Sequence, residues 1–145
     1  MKILFLCTGN SCRSQMAEGW ARQLFPKNIE IFSAGTKPGS VNPYAVAVMQ
    51  EVGVDLSHAE SKSIDRFLND SFELVVTVCD SAKESCPLFP GVARTIHAPF
   101  DDPPTLTANE PDAEKRLTVY RRVRDEIRNF IETLTKDTLS ERSQH

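Results

Sequence analysis

A chain of 145 residues, 40% hydrophobic and 26% charged, has the make-up of one globular domain built around a single core. Its formal net charge of −3 argues against a general nucleic-acid binder, and no apolar run is long enough to cross a bilayer. The opening run Met1–Leu6 is too short for a secretory h-region and leads into Cys7-Thr8-Gly9-Asn10 rather than a cleavage site, so a cytoplasmic monomer is expected.

Residues 2–6 form a short apolar run of strand type. Met16, Ala17, Trp20, Ala21, Leu24 and Phe25 then recur at helical spacing until Pro26 stops the helix. Residues 29–32 alternate as a strand that ends in Ser33-Ala34-Gly35. Asn42-Pro43 is a helix start, with asparagine as cap and proline at the first helical position, and Gly53 closes that helix. A short helix is expected around 64–68. Leu74–Val78 is a continuous β-branched run suited to a buried parallel strand, and 93–97 reads as a shorter one. Residues 101–113, rich in Pro, Asp and Thr, read as a loop. From Asp112 onward, Leu117, Tyr120, Val123, Ile127, Phe130, Ile131 and Leu134 trace the packing face of a C-terminal helix. Arg121, Arg122, Arg124 and Arg128 share it with Glu114, Asp125, Glu126 and Glu132, which makes its outer face mixed in charge rather than basic. The alternating order predicts an α/β fold: a single catalytic domain over 1–135 with a short central parallel β-sheet flanked by helices on both faces, and a polar, frayed tail over 136–145.

The chemistry concentrates where the first strand meets the first helix, in Cys7-Thr8-Gly9-Asn10-Ser11-Cys12-Arg13-Ser14. In an open α/β sheet that junction is where ligands bind. Small residues let successive N–H groups turn in on an anion, the helix N-terminus adds partial positive charge, and the planar fork of Arg13 fits two oxygens of a tetrahedral oxyanion. The same field favours a thiolate at Cys7, the attacking atom. Thr8, Gly9, Asn10, Ser11, Cys12, Arg13 and Ser14 are the candidate substrate-binding residues. Asn10 and Ser11 would orient the loop, Ser14 would bond the Cys7 sulfur or cap the helix, and Cys12 is a structural thiol. The cysteine spacings, CxxxxC and CxxxxxxC, are not the paired CxxC of a structural zinc site, so no metal is expected.

The segment CTGNSCRS resembles the CxxxxxR(S/T) signature of low-molecular-weight protein tyrosine phosphatases and of the thioredoxin-coupled arsenate reductases that share their fold, and the resemblance runs through nearly the whole chain. Both groups carry an Asp-Pro before the last helix. The resemblance therefore makes Asp102, in Asp101-Asp102-Pro103, the acid that protonates a leaving oxygen, with Asp101 a turn residue. Phosphatases follow this Asp-Pro with aromatic residues that wall the phosphotyrosine pocket. Pro104 and Thr105 stand here instead. Some relatives bind potassium through Asn, Glu, Ser and a Thr-x-Asp pair. Asn10, Glu18 and Ser33 match the first part, but Glu60-Ser61-Lys62-Ser63 lacks the pair and Lys62 brings its own charge, so no ion is expected.

Cys79 follows the buried strand and should emerge at the same sheet edge as Cys7. The segment Cys79–Cys86 resembles the redox helix of the reductases, with the same CxxxxxxC spacing. Ser81-x-x-Glu84 has the form of a capping box and Pro87 ends any helix. A fully helical 79–86 would hold the two Cα atoms ~10 Å apart, whereas a disulfide needs ~4.4–6.8 Å. The pair bonds only if a marginal turn unwinds. These features predict an arsenate reductase with a Cys7, Cys79, Cys86 relay, no bound cofactor, and thioredoxin as external reductant. The alternative is a phosphatase that hydrolyses phosphate monoesters through a cysteinyl-phosphate intermediate.

Overall fold

The strand β1 (Lys2–Cys7) is apolar on both sides and runs through the interior of the sheet. Ile3, Phe5 and Cys7 face one layer, and Leu4 and Leu6 the other, as a side-chain period of two requires. The computed structural model describes residues 1–79 and 94–143, the last five of these as backbone only. Beside β1 lie β2 (Glu30–Gly35) and β3 (Leu74–Thr77), with β4 (Thr95–His97) beyond β3. The order is β2-β1-β3-β4 and every pairing is parallel. The chain leaves β1 toward β2 and then crosses to the other side for β3. The sheet's switch point, where ligands bind, therefore lies at the carboxyl end of β1.

One face is covered by α1 (Arg13–Leu24), α2 (Pro43–Gln50) and α4 (Ala113–Ser143). Trp20 locks α1 to α4, its Nε1 donating to the Arg124 carbonyl at 3.2 Å with the Arg128 guanidinium over its ring. The opposite face is covered, among the described residues, by a 3₁₀ turn at Ile64–Phe67 and by Phe72. Phe32, Phe67 and Phe72 pack there in tilted and edge-to-face pairs. Asn42 caps α2 as expected, its side chain accepting from the N–H groups of Tyr44 and Ala45. Gly53 turns the chain after α2 at φ +81, a conformation other residues rarely adopt. No helix among the described residues is long and apolar enough to cross a membrane.

Three local expectations change. Residues 101–113 are not loop throughout: α3 spans Pro103–Leu106, because proline with its fixed φ suits the first helical position. α4 does not stop at 135 but continues through Ser143, and Thr138 is buried. The stretch holds no Gly or Pro, so extending the helix adds one hydrogen bond per residue fixed. β2 begins at Glu30 rather than Ile29, whose N–H is held by Pro26 O in the preceding turn, and it ends at Gly35 as expected, with Ser33, Ala34 and Gly35 paired to Phe5, Leu6 and Cys7. The turn expected at 81–86 and Cys86 itself lie outside the described residues.

Candidate active site

The loop between β1 and α1 is shaped by where its carbonyls go. Thr8 O accepts from Lys37 N, Gly9 O from Gly39 N, and Ser11 O from Asn42 N, all at 2.9–3.1 Å. Asn10 O accepts from Ser61 Oγ and Gln15 Nε2. In a trans peptide the carbonyl and the following N–H point in opposite directions. With these four carbonyls turned outward, the N–H groups of Gly9, Asn10, Ser11 and Cys12 turn inward, toward the space above Cys7. Asn10 makes the bend at φ +48, a left-handed conformation that asparagine tolerates better than most residues. Gly35 lets β2 come close: a Cβ there would sit 2.5 Å from Thr8 O and 2.9 Å from Asn10 N.

Asn10 and Ser14, both fully buried, stand behind the loop rather than in the cavity wall. Asn10 Oδ1 accepts from the backbone N–H of Lys62 at 2.8 Å, which fixes the orientation of the amide. Its Nδ2 then donates to Ser14 Oγ at 2.8 Å and Ser33 Oγ at 2.9 Å. Ser14 Oγ lies 2.8 Å from Cys7 Sγ. With Asn10 donating to the serine oxygen, Ser14 has its own hydrogen to give, and a Cys7 thiolate would accept it. Ser33 donates to Glu18 Oε1 at 2.7 Å, and Lys62 Nζ stands 3.7 Å from the same oxygen. Two cations thus stand beside Glu18, the Lys62 ammonium and the Arg22 guanidinium, whose Nε lies 3.0 Å from Glu18 Oε2. Among the described residues no group of three His, Cys, Asp or Glu side chains gathers that could hold a metal ion.

Arg13 is the first residue of α1 and is 4% exposed. Its Nη1 donates to Phe100 O at 3.2 Å, and its Nε lies 3.4 Å from Asp102 Oδ1, an ion pair rather than an aligned hydrogen bond. The cavity above Cys7 measures about 270 Å³ and is lined by Cys7, Thr8, Gly9, Ser11, Cys12, Arg13, Asp102 and Pro104. That is smaller than the roughly 300–1,000 Å³ of pockets for drug-sized ligands. None of the described lining residues is aromatic, so among them no ring is offered to stack on an aryl ester. Burial pushes the Cys12 thiol well above its ordinary value; Asp102 and Cys7 add to the rise and Arg13 opposes it. Cys12 therefore stays protonated beside Cys7. Asp101 points away, bound by Arg122 Nη2 at 3.1 Å. A larger cleft of about 420 Å³ beside α1 is lined by no cysteine.

Cys79 is fully buried in the same apolar cluster as Cys7. The register pairs Leu6 with Thr77, and Val78 N donates to Leu6 O, so Cys79 lies just past the end of the strand adjacent to β1. Cys79 is disulfide-bonded, whereas Cys7 and Cys12 are free. Cys7, Arg13 and Asp102 thus converge on one cavity, with Cys79 at the neighbouring strand end. Sequence reasoning missed Gln15, Ser61 and Gly35, which brace the loop, and the contact of Thr105 with Asp102.

The model of the low molecular weight phosphotyrosine protein phosphatases matches residues 2–144. An arsenate reductase of Halalkalibacterium halodurans is 44% identical over 134 residues, 92% of this chain and 94% of its own. The solved structure of an arsenate reductase in its phosphate-binding state is similar with a TM-score of 0.75 and 31% identity, over 94% of this chain and 97% of that one. A thioredoxin-dependent arsenate reductase of Corynebacterium glutamicum gives a TM-score of 0.67 at 25% identity, over 96% of this chain and 62% of the other.

Proposed function

This chain belongs to the low molecular weight phosphotyrosine protein phosphatase family, and within it we propose an arsenate reductase that works by a three-cysteine relay. The observation that carries the choice is Cys79, buried past the end of β3 on the strand beside Cys7. Ester hydrolysis has no use for a second thiol there, whereas reduction of arsenic requires one. The small cavity, without an aromatic side chain among its described lining residues, supports the same reading.

The inward N–H groups and Arg13 hold arsenate with arsenic above the Cys7 sulfur. Cys7 thiolate attacks arsenic, an S–As bond forms, an As–O bond breaks, and the departing hydroxide takes a proton from Asp102 and leaves as water. Cys79 thiolate then attacks the Cys7 sulfur. The S–As electron pair moves onto arsenic, which leaves as arsenite, and Cys7 and Cys79 are oxidised to a disulfide. Cys86 attacks Cys79, expels Cys7 as thiolate, and carries the disulfide outward. A dithiol protein of the thioredoxin type reduces that bond and closes the cycle, so two thiol electrons are consumed per arsenate.

The test compares thioredoxin oxidation driven by arsenate with hydrolysis of an aryl phosphate. One thioredoxin oxidised per arsenite formed, with aryl phosphate turnover far slower, is the expected result. Rapid ester hydrolysis with no arsenate-dependent thiol oxidation would assign a phosphatase instead.

A further inference from the structure

Asp102 occupies the cap position of α3 without acting as a cap. A capping carboxylate accepts from the backbone N–H of the second or third helical residue. Pro103 and Pro104 fill the first two positions and have no N–H, and the Asp102 side chain makes no cap bond. A side chain holds it instead: Thr105 Oγ1 donates to Asp102 Oδ2 at 2.7 Å. The other oxygen, Oδ1, faces Arg13 Nε at 3.4 Å on the cavity wall. The two oxygens are thereby given different surroundings, one bound to the Thr105 hydroxyl and the other facing the guanidinium of Arg13, which lines the cavity with it.

We propose that Thr105 is the positioning residue of the acid, holding Asp102 so that Oδ1 carries and delivers the proton. This rests on the reading of Asp102 as the proton donor. With Oδ2 accepting the threonine hydrogen, the carboxyl proton resides on Oδ1. When the Oδ1–H bond breaks, the proton joins the hydroxide leaving arsenic and the electron pair stays on the carboxylate. The bond from Thr105 then stabilises the charge just formed. The charged and titratable groups that face Asp102, among the described residues, are Arg13 and Cys12 at the start of α1, Cys7 across the cavity, and Tyr120 from α4. Asp101, next in the chain, is held off by Arg122.

Thr105 is exposed, so Thr105→Val keeps the shape of the side chain without disturbing the core. The expected result is a kcat for arsenate about tenfold lower, with KM changed less than about twofold, since general acid catalysis is impaired while the anion cradle is intact. The solvent deuterium isotope effect on kcat rises, because transfer of the acid's proton becomes limiting. Thr105→Ser restores both. Parental kcat in Thr105→Val, a lower kcat with an unchanged isotope effect, or a serine variant as impaired as the valine one would each overturn the proposal. If the unaltered enzyme reduces no arsenate, the assignment of substrate falls, while the same comparison in hydrolysis of an aryl phosphate, whose leaving oxygen needs the same proton, still decides the role of Thr105.

Discussion

Ser14 Oγ stands 2.8 Å from Cys7 Sγ while Asn10 Nδ2 donates to the same serine oxygen, so the hydroxyl keeps a hydrogen that a Cys7 thiolate accepts. A chain of side chains, Glu18, Ser33, Asn10 and Ser14, thus ends on the nucleophile. A hydrogen bond to a charged group contributes about 1.5–3 kcal/mol. Ser14→Ala should therefore lower kcat/KM for arsenate roughly 10–100-fold, and alkylation of Cys7 at neutral pH should slow with it. Activity within twofold of the parent would show that the serine serves only as structure.

The close approach of β2 to the loop depends on Gly35. A methyl group there would meet Thr8 O at 2.5 Å, and that carbonyl is already committed to Lys37 N. Gly35→Ala should displace the loop, cost roughly 1–3 kcal/mol in stability, and weaken binding of inorganic phosphate as measured calorimetrically. Gly39→Ala is the control, because its new methyl meets nothing within 4 Å and it does not line the cavity. Equal losses in both variants would contradict this account.

The relay assigns separate steps to its thiols. Cys86→Ser should complete one turnover, release one arsenite per chain, and stall as a Cys7–Cys79 disulfide visible by peptide mass mapping. Undiminished steady-state turnover in this variant would remove Cys86 from the mechanism.

Cys12 links burial to alkaline stability. Its folded pKa is raised, first by burial, so the stability it contributes is fully present below the unfolded thiol value of about 8.5 and is lost as pH rises through the folded value. Denaturant midpoints of the parent should fall above about pH 8.5, by up to about 1.4 kcal/mol per unit from this group. Cys12→Ala should flatten that limb. Measurement stops short of about pH 10, where the Tyr120 phenol, also raised by burial, begins to contribute in the same sense. An unchanged alkaline slope in Cys12→Ala would place the loss in other groups.

Much of the molecule is legible from spacing alone. The β1–loop–α1 unit announces itself because the continuous apolar run of Ile3 to Leu6, the segment Cys7–Ser14 and the helical recurrence of Met16 and Trp20 all lie within one short stretch. The Asn42-Pro43 start is equally local, and its cap bonds form as that dipeptide predicts. Residues 101–113 are harder to read, because proline both breaks helices and begins them, and composition does not separate the two uses. The polar end of α4 misleads for a related reason: polarity marks exposure, but a helix already nucleated continues through polar residues.

By itself the amino-acid order determined the nucleophile, the arginine fork and the strand–loop–helix that presents them, because each depends on neighbours a few positions away. Only the tertiary structure decided how the cradle is held. Asn10 is oriented by Lys62 N, its carbonyl is satisfied by Ser61, and Gln15 reaches Glu60 O. Each of these contacts joins the β1–α1 unit to the segment that crosses from β2 to β3. The parallel sheet brings them together, and a pattern read along the chain has no period that reaches so far. The same holds for Cys7: its chemistry lies in its own thiol, but the hydrogen bond from Ser14, the ion pair of Arg13 with Asp102 and the place of Cys79 beyond β3 exist only once the strand order β2-β1-β3-β4 has closed around it.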